Sequence, residues 1–270
     1  MRFDSAVISS LLVECAKAYV LPRFRNLRDE DVRTKTGPGD LVTQADVDVE
    51  EHLKRVLPGL LPDSVVLGEE GVSSGEMSLD ILKDHNRPVW VVDPVDGTHN
   101  FVSGRREFAV MLALVQGGVA THGWIYDVLG EVMYHAERGA GAYAGERRLQ
   151  VAQDSVESPL SGFVNARFFP PEFYKNFDEN AHGVRIRRPL YCAGHEYIAL
   201  VNGEAHFTLF SRTKPWDHVP GALIVQEAGG HVSRWDGSAY APEHSEGGIV
   251  AASRADIAQK SIKLFIKNGD

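Results

Sequence analysis

Cysteine is scarce in this sequence: only Cys15 and Cys192 occur among its 270 residues. Two thiols form at most one bridge, which excludes the multi-disulfide framework of small secreted domains. A chain that depends on no disulfide is typical of a reducing compartment, so we expect a cytoplasmic protein. With 43% hydrophobic residues over this length, the chain can bury one large core or two moderate ones.

Long hydrophobic runs and concentrated positive charge are also lacking. No run approaches the roughly 20 apolar residues of a membrane span. Asp4, Ser9 and Glu14 interrupt the apolar positions that a secretory signal would need. The formal net charge is −9, and the basic clusters at 147–148 and 185–188 are short. Because nucleic-acid backbones are bound by clustered Lys and Arg, we expect a soluble protein with no nucleic-acid and no membrane partner.

The stretch from 90 to 101, Trp-Val-Val-Asp-Pro-Val-Asp-Gly-Thr-His-Asn-Phe, is the most informative part of the chain. The apolar residues before it and within it predict a buried strand, which ends at Asp93 and Asp96 with Pro and Gly beside them. Such a carboxylate pair is costly to hold without a cation, and Mg²⁺ binds a few carboxylates together with phosphate oxygens. The alternative is an ordinary β-turn, since Pro, Asp and Gly all favour turns.

Further acidic residues stand at two other predicted element ends. The apolar run 64–67 leads into Gly-Glu69-Glu70, and Asp217 opens a helical pattern that closes with Glu-Ala-Gly-Gly at 227–230. Taken singly, Glu69 and Glu70 are equally well explained as a solvated loop pair, and Asp217 as a helix N-cap. Three element ends that each carry a carboxylate favour a shared metal site.

A fourth acidic residue lies on a predicted helix over 40–57, which Pro58 and Gly59 are expected to end. The apolar stripe of this helix comprises Val42, Val49, Leu53 and Val56. On a period of 3.6 residues Asp46 shares that face, where a carboxylate needs a partner. The alternative is an acid that stabilises the first turn of the helix.

These motifs together resemble the inositol monophosphatase family of Mg²⁺-dependent, lithium-sensitive phosphatases. The resemblance extends from about Lys35, which matches a lysine of the family, to Gly230. It implies an α/β fold with an α+β N-terminal half, layered as an α-β-α-β-α sandwich with metals at the junction of the halves, and a homodimer. We place the halves at residues 1–153 and 154–270, because 154–159 is polar and contains proline.

The resemblance also implies a ligand set for two to three Mg²⁺ ions. Glu69, Asp93 and the Val95 backbone carbonyl match the ligands of a first ion. Asp93, Asp96 and Asp217 match those of a second ion, so that Asp93 is shared. A third, weaker ion would rest on Glu69 and waters.

The catalytic and substrate-binding residues follow from the same resemblance. Thr98 and its partner Asp46, with Glu70 nearby, match the group that orients and deprotonates the metal-activated water. The backbone N–H groups of Gly97 and Thr98 match the phosphate cradle. The substrate-binding set as a whole comprises Gly97, Thr98, Asp96, Asp217 and Phe210. His99 and His218 adjoin the motifs and are expected to be neighbours of the site, not ligands.

The chain departs from the family pattern in the substrate pocket. Seven residues before Asp217, inositol-specific members carry a glutamate that binds sugar hydroxyls, whereas this chain has Phe210, followed by Arg212 and Lys214. We therefore expect a Mg²⁺-dependent phosphatase of a small phosphate monoester, with inositol phosphate not its best substrate. Fructose bisphosphate, histidinol phosphate and 3′(2′),5′-bisphosphate nucleotides are alternative substrates. The alternative to an enzyme is a regulatory binding protein that retains the fold.

Hydrophobic periodicity supplies the expected elements. The N-terminal helix is predicted over 3–20, with Phe3, Val7, Leu11, Cys15 and Ala18 on its buried face. Mainly strands are predicted from 65 to 151, including a hairpin of 119–126 with 131–135. Beyond them the pattern predicts strands at 162–166 and 205–210, and helices after 170–171, at 195–202, from 217 and at 254–266.

Overall fold

The computed structural model describes residues 4–35, 41–152, 159–165, 169 and 183–266. Phe3, the predicted helix after 170–171 and the boundary between residues 153 and 154 lie outside the described residues. The division into two halves at that boundary therefore stays a prediction.

A small two-stranded sheet precedes a sheet of seven strands. The strands are β1 (Val32–Thr34) and β2 (Leu41–Thr43), then β3 (Val65–Gly68), β4 (Val89–Asp96), β5 (Ala109–Gln116), β6 (Val119–Asp127), β7 (Val132–Glu137), β8 (Gly141–Ala144) and β9 (Arg147–Arg148). The seven strands β3 to β9 lie side by side in chain order. Strands β3 and β4 run parallel, and each later pair is antiparallel. Parallel neighbours end at the same edge of a sheet, which brings the chain after β3 beside the chain after β4.

Five strands form the second large sheet, and seven helices accompany the two sheets within the described residues. The strands are β10 (Ser161–Val164), β11 (Arg185–Arg187), β12 (Phe207–Phe210), β13 (His231–Arg234) and β14 (Ile249–Ala252), in the order β11–β10–β12–β14–β13. The helices are α1 (Ser5–Cys15), α2 (Gln44–Leu60), α3 (Glu69–Ser73), α4 (Thr98–Val102), α5 (Ala193–Val201), α6 (Pro215–Glu227) and α7 (Ala255–Phe265).

Alternating side chains on two strands show how the layers stack. On β4, Val89 and Val91 pack towards α5 and α6, whereas Trp90 and Val92 pack towards α1 and α2. On β14, Ile249 and Ala251 join the same middle core as α6, whereas Val250 and Ala252 face α7. A strand with both faces buried is apolar throughout, which explains the unbroken hydrophobic runs. The order of layers is helix, sheet, helix, sheet, helix, so the predicted α-β-α-β-α sandwich is confirmed.

Several details of the first two predicted helices are wrong. Val7 is 47% exposed, because a spacing of four residues drifts off the face of a helix with 3.6 residues per turn. The buried side chains of α1 are Ile8, Leu11, Leu12 and Cys15. A π-helical turn at Ala16–Val20 then shifts the face again and leaves Ala18 exposed. Helix α2 begins only at Gln44, after the cap Thr43, so Val42 of the predicted apolar stripe lies in strand β2. At its other end α2 continues through Pro58 to Leu60, since a proline in the last turn removes only the bond of its own missing N–H.

The N-terminal helical stretch has one further property. Ser5–Arg23 is 19 residues long with a mean hydropathy of 1.3, and it alone among the described helices is long and apolar enough to cross a membrane. Core helices meet the same criterion of length and composition. Here Ile8, Leu12 and Cys15 are buried in the core that α2 and the seven-stranded sheet share.

Candidate active site

Two chain segments that carry acidic residues meet at one edge of the seven-stranded sheet. The parallel register pairs Gly68 with Val92, so Glu69 and Asp93 follow at the same edge. The pairing of β4 with β5 then slips by one residue between Asp93 and Asp96, which is a β-bulge. A bulge bends the strand and re-aims its side chains, and it accommodates a proline such as Pro94.

Gly97 makes the turn from β4 into α4. Its φ is +82°, and a Cβ there would lie 2.7 Å from the Glu107 carbonyl oxygen. No other residue type meets both conditions without strain. The turn delivers Thr98, whose hydroxyl donates to the Val95 carbonyl oxygen at 2.9 Å and lies 3.4 Å from Asp46 Oδ1.

Asp46 lies behind Thr98 and is fully buried. Its other carboxylate oxygen accepts the Thr43 N–H at 2.8 Å and the Thr43 hydroxyl at 2.6 Å, which completes a capping box at the start of α2. Burial raises the pKa of Asp46 to about 7, although the bonds from Thr43 oppose the rise. A carboxylate with that pKa exchanges protons near neutral pH.

Lys35 joins the two glutamates that open α3. Its ammonium group donates to Glu69 Oε1 at 2.8 Å and to Glu70 Oε1 at 2.5 Å. Burial lowers the pKa of Lys35, but the two carboxylates outweigh burial and the net shift is upward. Burial raises the pKa of Glu70 to about 7 against the opposing effect of Lys35. Glu69 and Glu70 are thus partly buried and ion-paired, and the interpretation as a solvated loop pair was wrong.

Glu50 is a buried acid that sequence reasoning missed. Its carboxylate accepts the N–H groups of Glu70 at 2.8 Å and Gly71 at 2.7 Å, and it pairs with Lys54 at 3.1 Å. A Cβ at Gly68 would lie 2.1 Å from the Glu50 carboxyl carbon, so only glycine fits there. One signal was available, because Glu50 follows Asp46 by four residues on the same helix face.

Asp96 is held by the start of α5. Its carboxylate accepts the N–H groups of Ala193 at 3.2 Å and Gly194 at 2.6 Å, and the Cys192 thiol donates to it at 2.9 Å. Burial raises the pKa of Asp96, and these three donors moderate the rise. Both Cys192 and Cys15 are buried and free. Asp96 therefore links the seven-stranded sheet to the helices of the middle layer.

Asp217 brings a further carboxylate from the first turn of α6. It lies within hydrogen-bonding reach of Asp93. Burial first, and then the charges of the neighbouring carboxylates, raise the pKa values of Asp93 and Asp217 well above the ordinary range. Carboxyl groups this close cannot all ionise in the protein alone, and a divalent cation would relieve the repulsion.

The carboxylate and carbonyl oxygens of the site are of the type that binds Mg²⁺, although they do not surround one common position. No three His, Cys, Asp or Glu side chains within the described part of the chain are arranged to hold one ion together. Asp96 in particular turns its oxygens to the α5 amides. Mg²⁺ is usually held by one or two carboxylates, with waters and substrate phosphate completing its octahedron. An open set of hard oxygen donors beside a cavity fits that pattern.

These groups surround a cavity of about 470 Å³. Its lining comprises Leu41, Glu69, Asp93, Val95, Asp96, Gly97, Thr98, His99, Arg105, Asn165, Arg188, Tyr191, Cys192, Ala193, Glu196, Phe210, Ser211, Arg212, Asp217 and His218. Eight of the predicted site residues are in that set. Asp46 and Glu70 are not. Asp46 lies behind Thr98, and Glu70 shares the Lys35 ammonium group with Glu69, which does line the cavity.

Phe210 and its neighbours form the opposite wall. The Phe210 ring is half-buried and lies 4.6 Å from the His218 ring and 5.2 Å from the Tyr197 ring. His218 contacts the Arg212 carbonyl oxygen through Nε2 at 2.7 Å and the Tyr197 hydroxyl through Nδ1 at 3.2 Å. Burial lowers the pKa of His218 to about 4, so this ring is neutral. Arg212 lines the cavity, whereas the Lys214 ammonium lies over the Trp216 ring.

Glu196 is a second acid that sequence reasoning missed. It is buried on α5, where it accepts the Leu190 N–H at 3.1 Å and the Thr208 hydroxyl at 2.8 Å. Burial raises its pKa to about 7. The available signal was its position as the single acid in the helix Ala193–Val201, in which most residues are apolar. It places a carboxyl group in the cavity wall near Phe210.

Comparison with known proteins identifies relatives along nearly the whole chain. The model of the "Inositol monophosphatase family" matches residues 6–268. An inositol-1-monophosphatase of Bacillus subtilis is 30% identical over 214 residues, 77% of this chain and 78% of that protein. A fructose-1,6-bisphosphatase/inositol-1-monophosphatase of Thermotoga maritima is 31% identical over 212 residues, 78% of this chain and 77% of that protein.

Two further matches bear on function and on fold. The Nus factor SuhB of Xylella fastidiosa is 32% identical over 244 residues, 85% of this chain and 83% of that protein. The crystal structure of inositol monophosphatase II from Staphylococcus aureus is 27% identical with a TM-score of 0.80, and the match covers 98% of this chain and 96% of that one.

Proposed function

This chain belongs to the inositol monophosphatase family and is a phosphoric monoester hydrolase, and we propose that it hydrolyses a small phosphorylated metabolite with Mg²⁺ and a directly attacking water. The observation that carries the proposal is the convergence of Glu69, Asp93, Asp96 and Asp217 on one cavity. Three separate elements, β3–α3, β4 and α6, bring these carboxylates there. Their mutual repulsion has no structural benefit, whereas a phosphatase needs them for cations.

The metal ligands would be the residues that the sequence motifs indicate. Glu69, Asp93 and the Val95 carbonyl would hold one ion, and Asp93, Asp96 and Asp217 a second. A third would depend on Glu69 and waters. When bound, Mg²⁺ supplies Lewis-acid stabilisation of the phosphoryl oxygens and of the leaving alkoxide. Asp96 would have to exchange its bonds with Ala193 and Gly194 for that role.

Thr98 and Asp46 would act on the attacking water. The Thr98 hydroxyl stands at the cavity wall with Asp46 Oδ1 3.4 Å behind it, so a proton taken by Thr98 has an acceptor within reach. The raised pKa of Asp46 matches a general base that works near neutral pH. Glu70 with its pKa of about 7 offers a second acceptor, and Lys35 orients it.

The substrate phosphate would lie against the turn after β4. The backbone N–H groups of Gly97 and Thr98 are the proposed donors, because a glycine with positive φ lets the backbone approach an anion closely. Asp96 and Asp217 would contact the substrate from the other side. No cysteine, serine or histidine nucleophile is required, since water attacks directly.

The pocket wall argues against inositol phosphate as the preferred substrate. Phe210 offers a ring where a hydroxyl-binding glutamate would stand, and Arg212 adds positive charge beside it. A site that leaves substrate hydroxyls without partners loses discrimination in their favour. Fructose bisphosphate, histidinol phosphate and 3′(2′),5′-bisphosphate nucleotides are the substrates to compare with it.

A phosphate-release screen tests the proposal. Purified protein is assayed with millimolar Mg²⁺ on phosphorylated sugars, inositols, amino alcohols and nucleotides, and each assay is repeated with excess chelator. We expect release from at least one substrate that depends on Mg²⁺. Full activity in excess chelator would contradict the metal mechanism.

The similarity to a Nus factor supports a regulatory role as a second candidate function. The retained carboxylates and Thr98 favour catalysis, because a protein that works only through surface contacts has no need of them. The screen separates the two, since a pure binding protein releases no phosphate from any substrate.

We further propose a homodimer in a reducing cytoplasm, built from halves 1–153 and 154–270. Two free, buried cysteines support the compartment, and one large sheet in each half supports the division. Sedimentation at micromolar concentration tests the dimer, and a monomer there would contradict it.

A further inference from the structure

A second cavity adjoins the candidate active site. Its volume is about 560 Å³, and its lining comprises Asn100, Arg105, Glu107, Ser161, Phe163, Arg185, Ile186, Arg187, Arg188, Pro189 and Leu190. Arg105 and Arg188 line both this cavity and the carboxylate-lined one. The two arginines therefore stand where the cavities meet.

The second cavity carries an excess of positive charge. Four of its lining residues are arginines, and Glu107 is the single acid among those that the structure describes. Arg187 is engaged, since it donates to the Glu204 carbonyl and lies 5.2 Å from the Phe163 ring centre. Arg105 and Arg188 are exposed and form no side-chain hydrogen bond or ion pair with any other described residue.

Asn100 holds the two arginine-bearing segments in place. This fully buried side chain donates to the Glu107 carbonyl oxygen at 2.7 Å and the Leu190 carbonyl oxygen at 2.8 Å. Those acceptors lie two residues after Arg105 and two after Arg188, and the Arg105 N–H donates back to the Asn100 carbonyl oxygen at 2.8 Å. One side chain thus sets the separation of both guanidinium-bearing segments.

Asn100 also presents an acceptor without a partner. Its Oδ1 is buried and has no hydrogen-bond partner among the described residues, and Asn100 is one of the residues that line the second cavity. A buried amide oxygen is normally satisfied, so this atom indicates a ligand or water with a hydrogen to donate.

We infer that Arg105 and Arg188 bind a second phosphate of the substrate, one that is not hydrolysed, so that the substrate class is small bisphosphates. Guanidinium groups bind phosphate through paired N–H donors, and two of them where the two cavities meet suit a dianion. The inference rests on the proposed function, because the scissile phosphate must occupy the carboxylate-lined cavity. Arg105 and Arg188 hold a non-reacting group and take no part in bond cleavage.

Matched substrate pairs test the inference. Phosphate release is measured for fructose 1,6-bisphosphate against fructose 1-phosphate and fructose 6-phosphate, and for adenosine 3′,5′-bisphosphate against adenosine 3′-phosphate. In at least one pair we expect kcat/KM to favour the bisphosphate by about tenfold or more, the scale of one charge-assisted contact. No preference in either pair would overturn the inference.

Variants then assign the preference to residues. Arg105→Gln and Arg188→Gln should each lower the ratio of bisphosphate to monophosphate kcat/KM about tenfold, mainly through KM, since a non-reacting phosphate contributes uniform binding. Arg188→Lys should restore part of the ratio, and the exposed Arg55→Gln should leave it as in the parent. A ratio within about twofold of the parent in both glutamine variants would overturn the inference. Absence of any phosphate release by the parent would instead refute the proposed function, so the two failures are distinguishable.

Discussion

The carboxylate of Asp96 accepts the Gly194 N–H at 2.6 Å, and this bond ties the end of β4 to the first turn of α5. The Ala193 N–H adds a second bond at 3.2 Å. One side chain thus satisfies two of the N–H groups that a helix start leaves unpaired. Asp96 is both a structural cap and a candidate metal ligand, so the helices of the middle layer and the metal site share one group.

Replacement of Asp93 by Asn should strongly lower activity and stabilise the metal-free protein. Asp93 is the proposed ligand of both main ions, and loss of a dominant electrostatic group typically costs about 10³ in kcat. The pKa of Asp93 in the folded parent is raised above its unfolded value. The parent's free energy of unfolding therefore falls as pH rises and Asp93 loses its proton. At pH 8 in chelator, the Tm of Asp93→Asn should therefore exceed that of the parent.

Added Mg²⁺ should restore activity to the chelator-treated parent and raise its Tm, with a much smaller effect on the variant. Calcium should inhibit, because it is larger and less strict about octahedral geometry. The exposed Asp63→Asn is the matched control. Activity of Asp93→Asn close to that of the control would argue against the ligand assignment.

Thr98→Ala should lower kcat about 10²-fold while KM changes little, since Thr98 acts on water and not on the body of the substrate. Asp46→Asn should show the same pattern, and the double variant should lose little beyond either single change. Steady-state kinetics with the best substrate of the screen measure this, with Thr121→Ala as the control. Additive losses would mean that the two residues do not act together.

Phe210→Glu should shift preference towards myo-inositol 1-phosphate. The new carboxylate would accept hydrogen bonds from substrate hydroxyls that the ring cannot take up. We expect the ratio of kcat/KM for inositol phosphate to that for the parent's best substrate to rise about tenfold. Phe210→Leu removes the ring without adding an acceptor and should not show the shift. If inositol phosphate is already the parent's best substrate, the specificity argument is wrong and the metal mechanism is untouched.

Glu196→Gln should change how stability depends on pH. The folded-state pKa of Glu196 is about 7, above its ordinary value of 4.5. The contribution of this group to the parent's free energy of unfolding therefore falls as pH rises between those values. Glutamine keeps both contacts, because its carbonyl accepts the Leu190 N–H and its amide donates to the Thr208 hydroxyl. The Tm difference between variant and parent should therefore be larger at pH 8 than at pH 5. An equal difference at both pH values would show that Glu196 is not buried as a neutral acid.

Glu50→Gln should weaken both folding and Mg²⁺ binding. Each Glu50 oxygen accepts one N–H of α3. In glutamine an NH₂ group replaces one of those oxygens, and it cannot accept the N–H that faces it. A buried donor left unpaired costs about 1–3 kcal/mol of unfolding free energy. Because Glu69 begins α3, the Mg²⁺ concentration for half-maximal activity should rise as well. Urea unfolding and Mg²⁺ titration test this against the exposed neighbour Glu51→Gln, which should match the parent in both.

Local chemistry allowed the sequence to predict the elements that carry the site. An apolar run that ends in Asp-Pro-Val-Asp-Gly-Thr specifies a buried strand, a turn and a pair of carboxylates within ten residues, and the structure has them as β4, a bulge and α4. Likewise, the 3.6-residue period places Asp46 on the packed face of α2. The family and the layered fold followed from such motifs and are confirmed, whereas the catalytic and ligand roles stay predictions.

The local sequence pattern did not predict strands and side-chain contacts that depend on residues distant in sequence. Strands β13 and β14 were not predicted, because their pairing with each other and with β12 is specified by the sheet and not by their own short runs. Glu50 caps a helix about 20 residues away, and Asp96 reaches donors almost 100 residues away, so no spacing rule reveals either contact.

The sequence by itself thus determined which residues end the strands and which carry the charge, since turn preferences and periodicity act over a few residues. Only the tertiary structure decided that Asp217 meets Asp93, that Asp96 caps α5, and that Arg105 and Arg188 stand together between two cavities. Those relations arise because the layers pack in one register, and packing brings together segments that the chain separates by about 80 to 120 residues.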